Sequence, residues 1–301
     1  MVGTGPRLAR PLQPFHGRRR QPLRGDPVCH EMRSKRQGEA YVDECDRERF
    51  LALREAIETS KAFEVNRRQT SLQITYYVFS RNVADLEAHL LALKDPRVQD
   101  LWDVTRRDAL MEYLRDVTRH LHNSLAAAKT LVDHTRVMVD DLYANTHFAD
   151  EYSRKVKDTF DASDLSHFFQ DLRNFALHKQ LPAAQAHMQY TSGLAADGQR
   201  RGTPSLDFTI RLDVAELKKW QGFTKPARAY IETLPDQVDL SSIVSQYKAL
   251  VEGFYQWFGQ RQAAIHAKDV EAIQPLQDEL RMLFQRNGLP VPPDEEAPGP
   301  S

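Results

Sequence analysis

Cysteine is almost missing from this chain of 301 residues: only Cys29 and Cys45 occur, both near the N-terminus. Two thiols so placed cannot staple the body, and no C-x-x-C spacing offers a zinc site. Such sparse cysteine fits a reducing compartment, and the expectation is a cytoplasmic protein. Long apolar runs are missing too. None approaches the roughly 20 residues that span a bilayer, so no membrane is expected among its partners. G-x-x-x-x-G-K, G-x-G-x-x-G and G-x-S-x-G are all absent, which removes the commonest phosphate-loop, dinucleotide and serine-hydrolase signatures. No fixed internal period suggests a repeat protein.

What is present is a globular composition with 41% hydrophobic and 28% charged residues, enough to bury a sizeable core. The formal net charge of -1 hides an asymmetry. Residues 1–36 carry nine basic and two acidic side chains, a net of +7, which leaves -8 on the remainder. A basic arm can attract nucleic acid or anionic lipid, but the body lacks the broad positive field of a typical nucleic-acid binder. Residues 1–40 are Pro-, Gly- and Arg-rich with no apolar period, so they read as a disordered arm. A start at Met32 is the alternative reading of the same residues. Residues 41–288 read as a single helical domain, and the Pro- and Glu-rich stretch 289–301 as a disordered tail.

Periodicity makes the domain mainly α: a bundle of long helices with one inserted β-hairpin at about 184–212. A first helix fits 45–62. Leu72, Tyr76, Phe79, Val83, Leu86 and Leu90 alternate steps of four and three, which predicts a helix from Ser71 to Lys94 with Thr70 as N-cap. The longest helix spans Val104 to Leu142. Its polar faces carry His120, His122, Lys129 and Arg136, and Asn123, Thr130 and His134 fall on one line that could be a buried polar seam facing the motif helix. A helix at 147–160 precedes one capped by Asp161 or Ser163 and ending near Lys179, before Pro182. Ala184, Ala186, Met188 and Tyr190, then Leu206, Phe208, Ile210 and Leu212, alternate with polar residues. They predict two strands joined by a long, mobile loop at 193–204. A short helix after Pro226 and two more, 239–267 and 269–286, complete the pattern.

Chemistry concentrates in Asp171-Leu172-Arg173-Asn174-Phe175-Ala176-Leu177-His178. A fixed cation, an amide and an imidazole lie within two helical turns. On a helical wheel His167, Asp171, Asn174 and His178 share one stripe opposite Leu172, and Arg173 lies on the flank. Arg173 and His178 therefore diverge on one helix, and two copies about a dimer axis would bring them together. A His near neutrality can act as acid or base, and an Arg can stabilise charge developing on a phosphoryl group. The same residues also have a plain reading, with His178 satisfying final helix carbonyls and Arg173 pairing with Asp140-Asp141. A metal on His167, Asp171 and His178 is disfavoured, because the third group lies seven residues from the second.

Arg173-Asn174-x3-His178, at the end of a helix in a mainly α chain, resembles the signature of the HEPN superfamily. Leu121-His122-Asn123-Ser124-Leu125-Ala126 and Leu131-Val132-Asp133-His134-Thr135-Arg136 also look like uncharacterised bacterial proteins with the same segment. The resemblance implies a helical domain that dimerises through its motif helices. In active members it implies metal-independent RNA cleavage with no cofactor, of toxin or defence type, with a neutralising protein partner. Arg173 would hold the phosphate, His178 would act on the 2′-hydroxyl or leaving oxygen, and Asn174 would assist, with His167 and Asp171 in support. The alternative is a non-enzymatic helical interaction or structural protein.

Overall fold

The computed structural model describes residues 43–95, 101, 103–193, 199 and 202–291. The expected arm 1–40, most of the loop 193–204 and nearly all of the tail 289–301 lie outside those residues. The described chain is mainly α, with a small antiparallel sheet inserted.

Helix α1 (Glu44–Glu58) is followed at once by α2 (Lys61–Ala92). The expected start of α2 at Ser71 is corrected by ten residues. Ser60 is the cap, its hydroxyl accepting from the Phe63 amide at 3.1 Å, which satisfies a donor that the first turn leaves unpaired. Ala62 and Val65 are buried and extend the Leu72–Leu90 seam backwards, so Thr70 sits mid-helix.

Helix α3 (Arg107–Tyr143) is 37 residues long and packs along α2. Val117, Leu121, Leu125, Leu131 and Val139 are buried on its stripe. The polar line expected to be a buried seam toward the motif helix is corrected: His134 Nδ1 lies 2.8 Å from the Thr75 hydroxyl of α2, and Thr130 and His134 are exposed. Asn145, with φ 62°, reverses the chain after α3; Asn tolerates the left-handed region better than most side chains. Helix α4 (His147–Val156) then widens into a π turn, Lys157–Asp161. Helix α5 (Asp164–His178), capped by Ser163, is the motif helix.

Strands β1 (Ala184–Thr191) and β2 (Ser205–Asp213) form the expected hairpin, with Ala184 opposite Leu212 and Met188 opposite Phe208. Two short helices follow, α6 (Val214–Lys218) and α7 (Lys225–Thr233), the latter with Pro226 in its first turn. A third strand, β3 (Gln237–Asp239), pairs with β2 and corrects the expectation that strand would be confined to the hairpin. Its three residues are too few to carry a readable alternation.

The two C-terminal helices merge into one, α8 (Leu240–Arg286), which continues through Pro275. It packs against α1, α2 and α5. Lys248 pairs with Glu87 of α2 at 2.8 Å, and Arg261 meets Glu151 of α4 with bonds of 2.7 and 2.8 Å. A buried polar chain also ties α8 to the end of α3. Tyr143 donates to Gln262 and lies 2.6 Å from His266 Nε2, and His266 Nδ1 lies 2.7 Å from Asp269. Burial raises the Tyr143 hydroxyl to about 12, so it remains a donor across the physiological range. No helix among the described residues is long and apolar enough to cross a membrane.

Candidate functional site

Helices α3 and α5 pack together, and the motif helix also meets α7. Its two flanks therefore face different surroundings. One faces α7 and is fully used. The other borders a cavity of about 110 Å³ bounded by α3, α4 and its π turn, α5 and α8.

On the α7 flank, Asp171 is buried, and its Oδ2 accepts from the Thr224 amide and hydroxyl, both at 2.7 Å. Thr224 is the N-cap of α7, and its own side chain makes no capping bond there. The carboxylate thus sits at the positive end of α7, where a negative charge is stabilised. Asn174 Nδ2 reaches the other Asp171 oxygen, at a long 3.5 Å. Asp171 and Asn174 are accordingly joined to each other and to the helix junction.

On the cavity flank lie Ser166, His167, Gln170 and Arg173. Arg173, placed by the wheel between polar and apolar faces, turns toward this cavity. Its Nε is buried without a hydrogen-bond partner, and no ion pair to it is found among the described residues. The expected alternative pairing with Asp141 is not observed: Asp141 binds Arg68 at 2.7 Å. His167 is fixed by its Nε2, 3.0 Å from the Asp161 carbonyl on the π turn. A carbonyl can only accept, so Nε2 carries the proton and Nδ1 of the neutral ring keeps a free lone pair.

Helix α3 supplies two further cations, Lys129 and Arg136. Seven residues apart, they share one face. Lys129 is paired with Asp133, and no ion pair to Arg136 is found among the described residues. Among the described residues, the only carboxylate lining the cavity is Asp161. The inner wall is aromatic. Tyr247 stacks on Phe169 with centroids 4.1 Å apart, and burial raises its hydroxyl to about 12. Tyr255 is held by a 2.5 Å contact with Thr135, and burial pushes its hydroxyl far upward. Burial also raises Tyr152, an effect that the nearby Arg136 charge partly offsets.

His178 stands apart. It ends α5, is exposed, and does not line the cavity. Five residues of helix separate it from Arg173, roughly 7.5 Å of rise and about 140° of rotation. Within one chain the structure therefore puts Arg173 and His167 on one cavity and joins Asn174 to Asp171, while His178 meets solvent. The sequence reading missed the partnership of Arg173 with Arg136 and with the aromatic wall. The seven-residue spacing of Lys129 and Arg136 was the available signal, but nothing local to α3 says which helix that face meets.

The site's cation content against a net-acidic body describes an anion-accepting cleft with an apolar floor. Among the described residues no group of three or more His, Cys, Asp or Glu side chains is arranged to hold a metal ion. Comparison with known family models, characterised proteins and solved structures returns no match.

Proposed function

We propose that this chain is a HEPN-like endoribonuclease that grips an RNA phosphodiester with Arg173 and cleaves it without a metal. The observation that carries the reading is Arg173 itself. The motif arginine borders a cleft with an unpartnered nitrogen, beside a second cation, Arg136, rather than being spent in an ion pair. The 2′-hydroxyl attacks phosphorus, a basic imidazole takes its proton, and the 5′-oxygen leaves with a proton from an acidic one. The products end in a 2′,3′-cyclic phosphate and a free 5′-hydroxyl. Arg173 stabilises the extra charge on the phosphoryl oxygens in the transition state. His178, exposed on the same helix, would meet this cleft from a second copy across a two-fold axis.

The test is cleavage of single-stranded RNA by the purified protein with a chelator present. Cyclic-phosphate products, inert DNA, and loss of activity in Arg173→Ala and His178→Ala with unchanged circular dichroism support the reading. Folded wild-type protein that leaves several RNAs intact would sink it.

The second reading, a non-enzymatic interaction protein, is favoured by one observation. Ile74, Tyr77 and Val78 form an exposed apolar strip on α2, at spacings that place them side by side. An RNA-inert protein whose Arg173 variants keep full stability would leave this reading standing.

A further inference from the structure

We infer that the cleft between α3 and α5 is a binding site for a phosphate ester that carries a single six-membered ring. The proposal deepens the ribonuclease reading by naming the ligand class, and it shares Arg173 with that reading, but it requires only binding.

Charge is the first argument. Arg136 and Arg173 line the cleft, and no ion pair to either is found among the described residues. Lys129 beside them is already compensated by Asp133. With Asp161 as the carboxylate on the same lining, the two guanidinium groups still leave the site net positive toward a phosphate ester, and planar guanidinium forks suit phosphate oxygens. The buried, unsatisfied Nε of Arg173 is the second argument. A buried donor left unmade is costly, and a ligand oxygen would complete it.

The third argument is the wall. Tyr247, Phe254 and Tyr255 line the same cavity as the cations; Tyr247 is held by stacking on Phe169 and Tyr255 by the Thr135 bond. A preformed, rigid aromatic surface binds a flat ring with little ordering cost. Size is the fourth. A volume of about 110 Å³ is of the same order as the ~150 Å³ apolar cavity that admits benzene. A single ring, with its phosphate at the open rim, is a closer match to that space than a fused two-ring base.

Isothermal titration of the full chain reads the proposal directly. Phenyl phosphate should bind roughly ten-fold or more tighter than inorganic phosphate, since burying a ring contributes at least that factor. Ribose 5-phosphate should bind like inorganic phosphate. Uridine 5′-monophosphate should bind like phenyl phosphate if a nucleotide is the source, and adenosine 5′-monophosphate more weakly. If phenyl phosphate binds and the uridine nucleotide does not, the ligand is a simple aryl phosphate and the class still stands. Arg173→Gln and Arg136→Gln should each weaken phenyl phosphate by about ten-fold or more. Val132→Phe, which fills the cleft from α3, should remove the preference for phenyl phosphate and keep inorganic phosphate binding.

Equal affinities for phenyl phosphate and inorganic phosphate would overturn the inference, as would unchanged binding in a folded Arg173→Gln protein. A protein that binds phenyl phosphate through Arg173 yet cuts no RNA would sink the ribonuclease reading alone. One that cuts RNA without the ring preference would sink this inference alone.

Discussion

Asp171 of the motif helix accepts two hydrogen bonds from Thr224, one from its amide and one from its hydroxyl, each 2.7 Å long. A residue that the sequence places two positions from the motif arginine is therefore the pin between α5 and α7. Asp171→Ala should cost roughly 2–3 kcal/mol, because it strands a buried helix N-terminus and removes charge-assisted bonds. Thr224→Val keeps the amide bond and should cost only about 1 kcal/mol. Chemical denaturation of both variants checks the ranking. Equal losses would mean that the hydroxyl, not the amide, carries the junction.

His167 and His178 occupy different surroundings on one helix, and their substitutions should separate. If chemistry occurs in the cleft, His167→Ala should lower kcat with the oligomeric state unchanged. His178→Ala should lower activity in proportion to how much of the site a second copy completes. Mixing inactive Arg173→Ala with inactive His178→Ala protein should then restore roughly a quarter of wild-type activity at statistical assembly, through one intact composite site per mixed dimer. No recovery in a mixture shown to exchange subunits would rule out a shared site.

His89 offers a pH-dependent readout far from the cleft. Its ring stacks on Tyr113 with centroids 4.2 Å apart and lies 5.3 Å from that of His120. Burial first, and the His120 charge next, lower its pKa, while Asp116 pulls the other way and Arg119 adds to the lowering. Folding thus favours the neutral ring. The stabilising contribution is complete above the unfolded value of about 6.5 and is lost as pH falls through the lower, folded pKa. His89→Phe keeps the stack and should flatten the fall in stability below about pH 6.5. Melting curves from pH 7.5 to 5 test this, and an unchanged slope would exonerate His89.

Pro275 interrupts α8 without ending it. Proline has no amide hydrogen for the Glu271 carbonyl, and its ring crowds the preceding turn. Pro275→Ala should stabilise the protein by roughly 1–2 kcal/mol, the helix gain outweighing the greater freedom of the unfolded chain. A lower melting temperature would show that a bend at Pro275 is needed to bring Arg286 and Asn287 onto Asp46, where both now bind.

Helix class, the long α3, the motif helix ending at His178 and the hairpin pairing were legible in the sequence. Each is written in a period of 3.6 or 2 over many residues, and local geometry enforces such periods. The start of α2 and the unity of α8 were not. Ser60 and Thr70 are both plausible caps by residue type, and the choice went to the site where Ala62 and Val65 are buried. Pro275 ordinarily ends a helix, yet packing of α8 on α1 holds it together.

The candidate site divides along the same line. Its arginine was visible because one short motif carries it. The wheel placed Arg173 on a flank, and only packing could say what that flank meets: a cleft with Arg136 and an aromatic wall on one side, Thr224 on the other. Asp171 and His178 share a stripe in the sequence but not an environment, because Thr224, the N-cap of α7, reaches Asp171 while Leu177 and His178 at the end of α5 are exposed. A one-dimensional pattern fixes which residues share a face. Burial, charge compensation and access depend on which other helices arrive there, and those are distant in the chain: Arg136 lies 37 residues before Arg173 and Thr224 lies 51 after it.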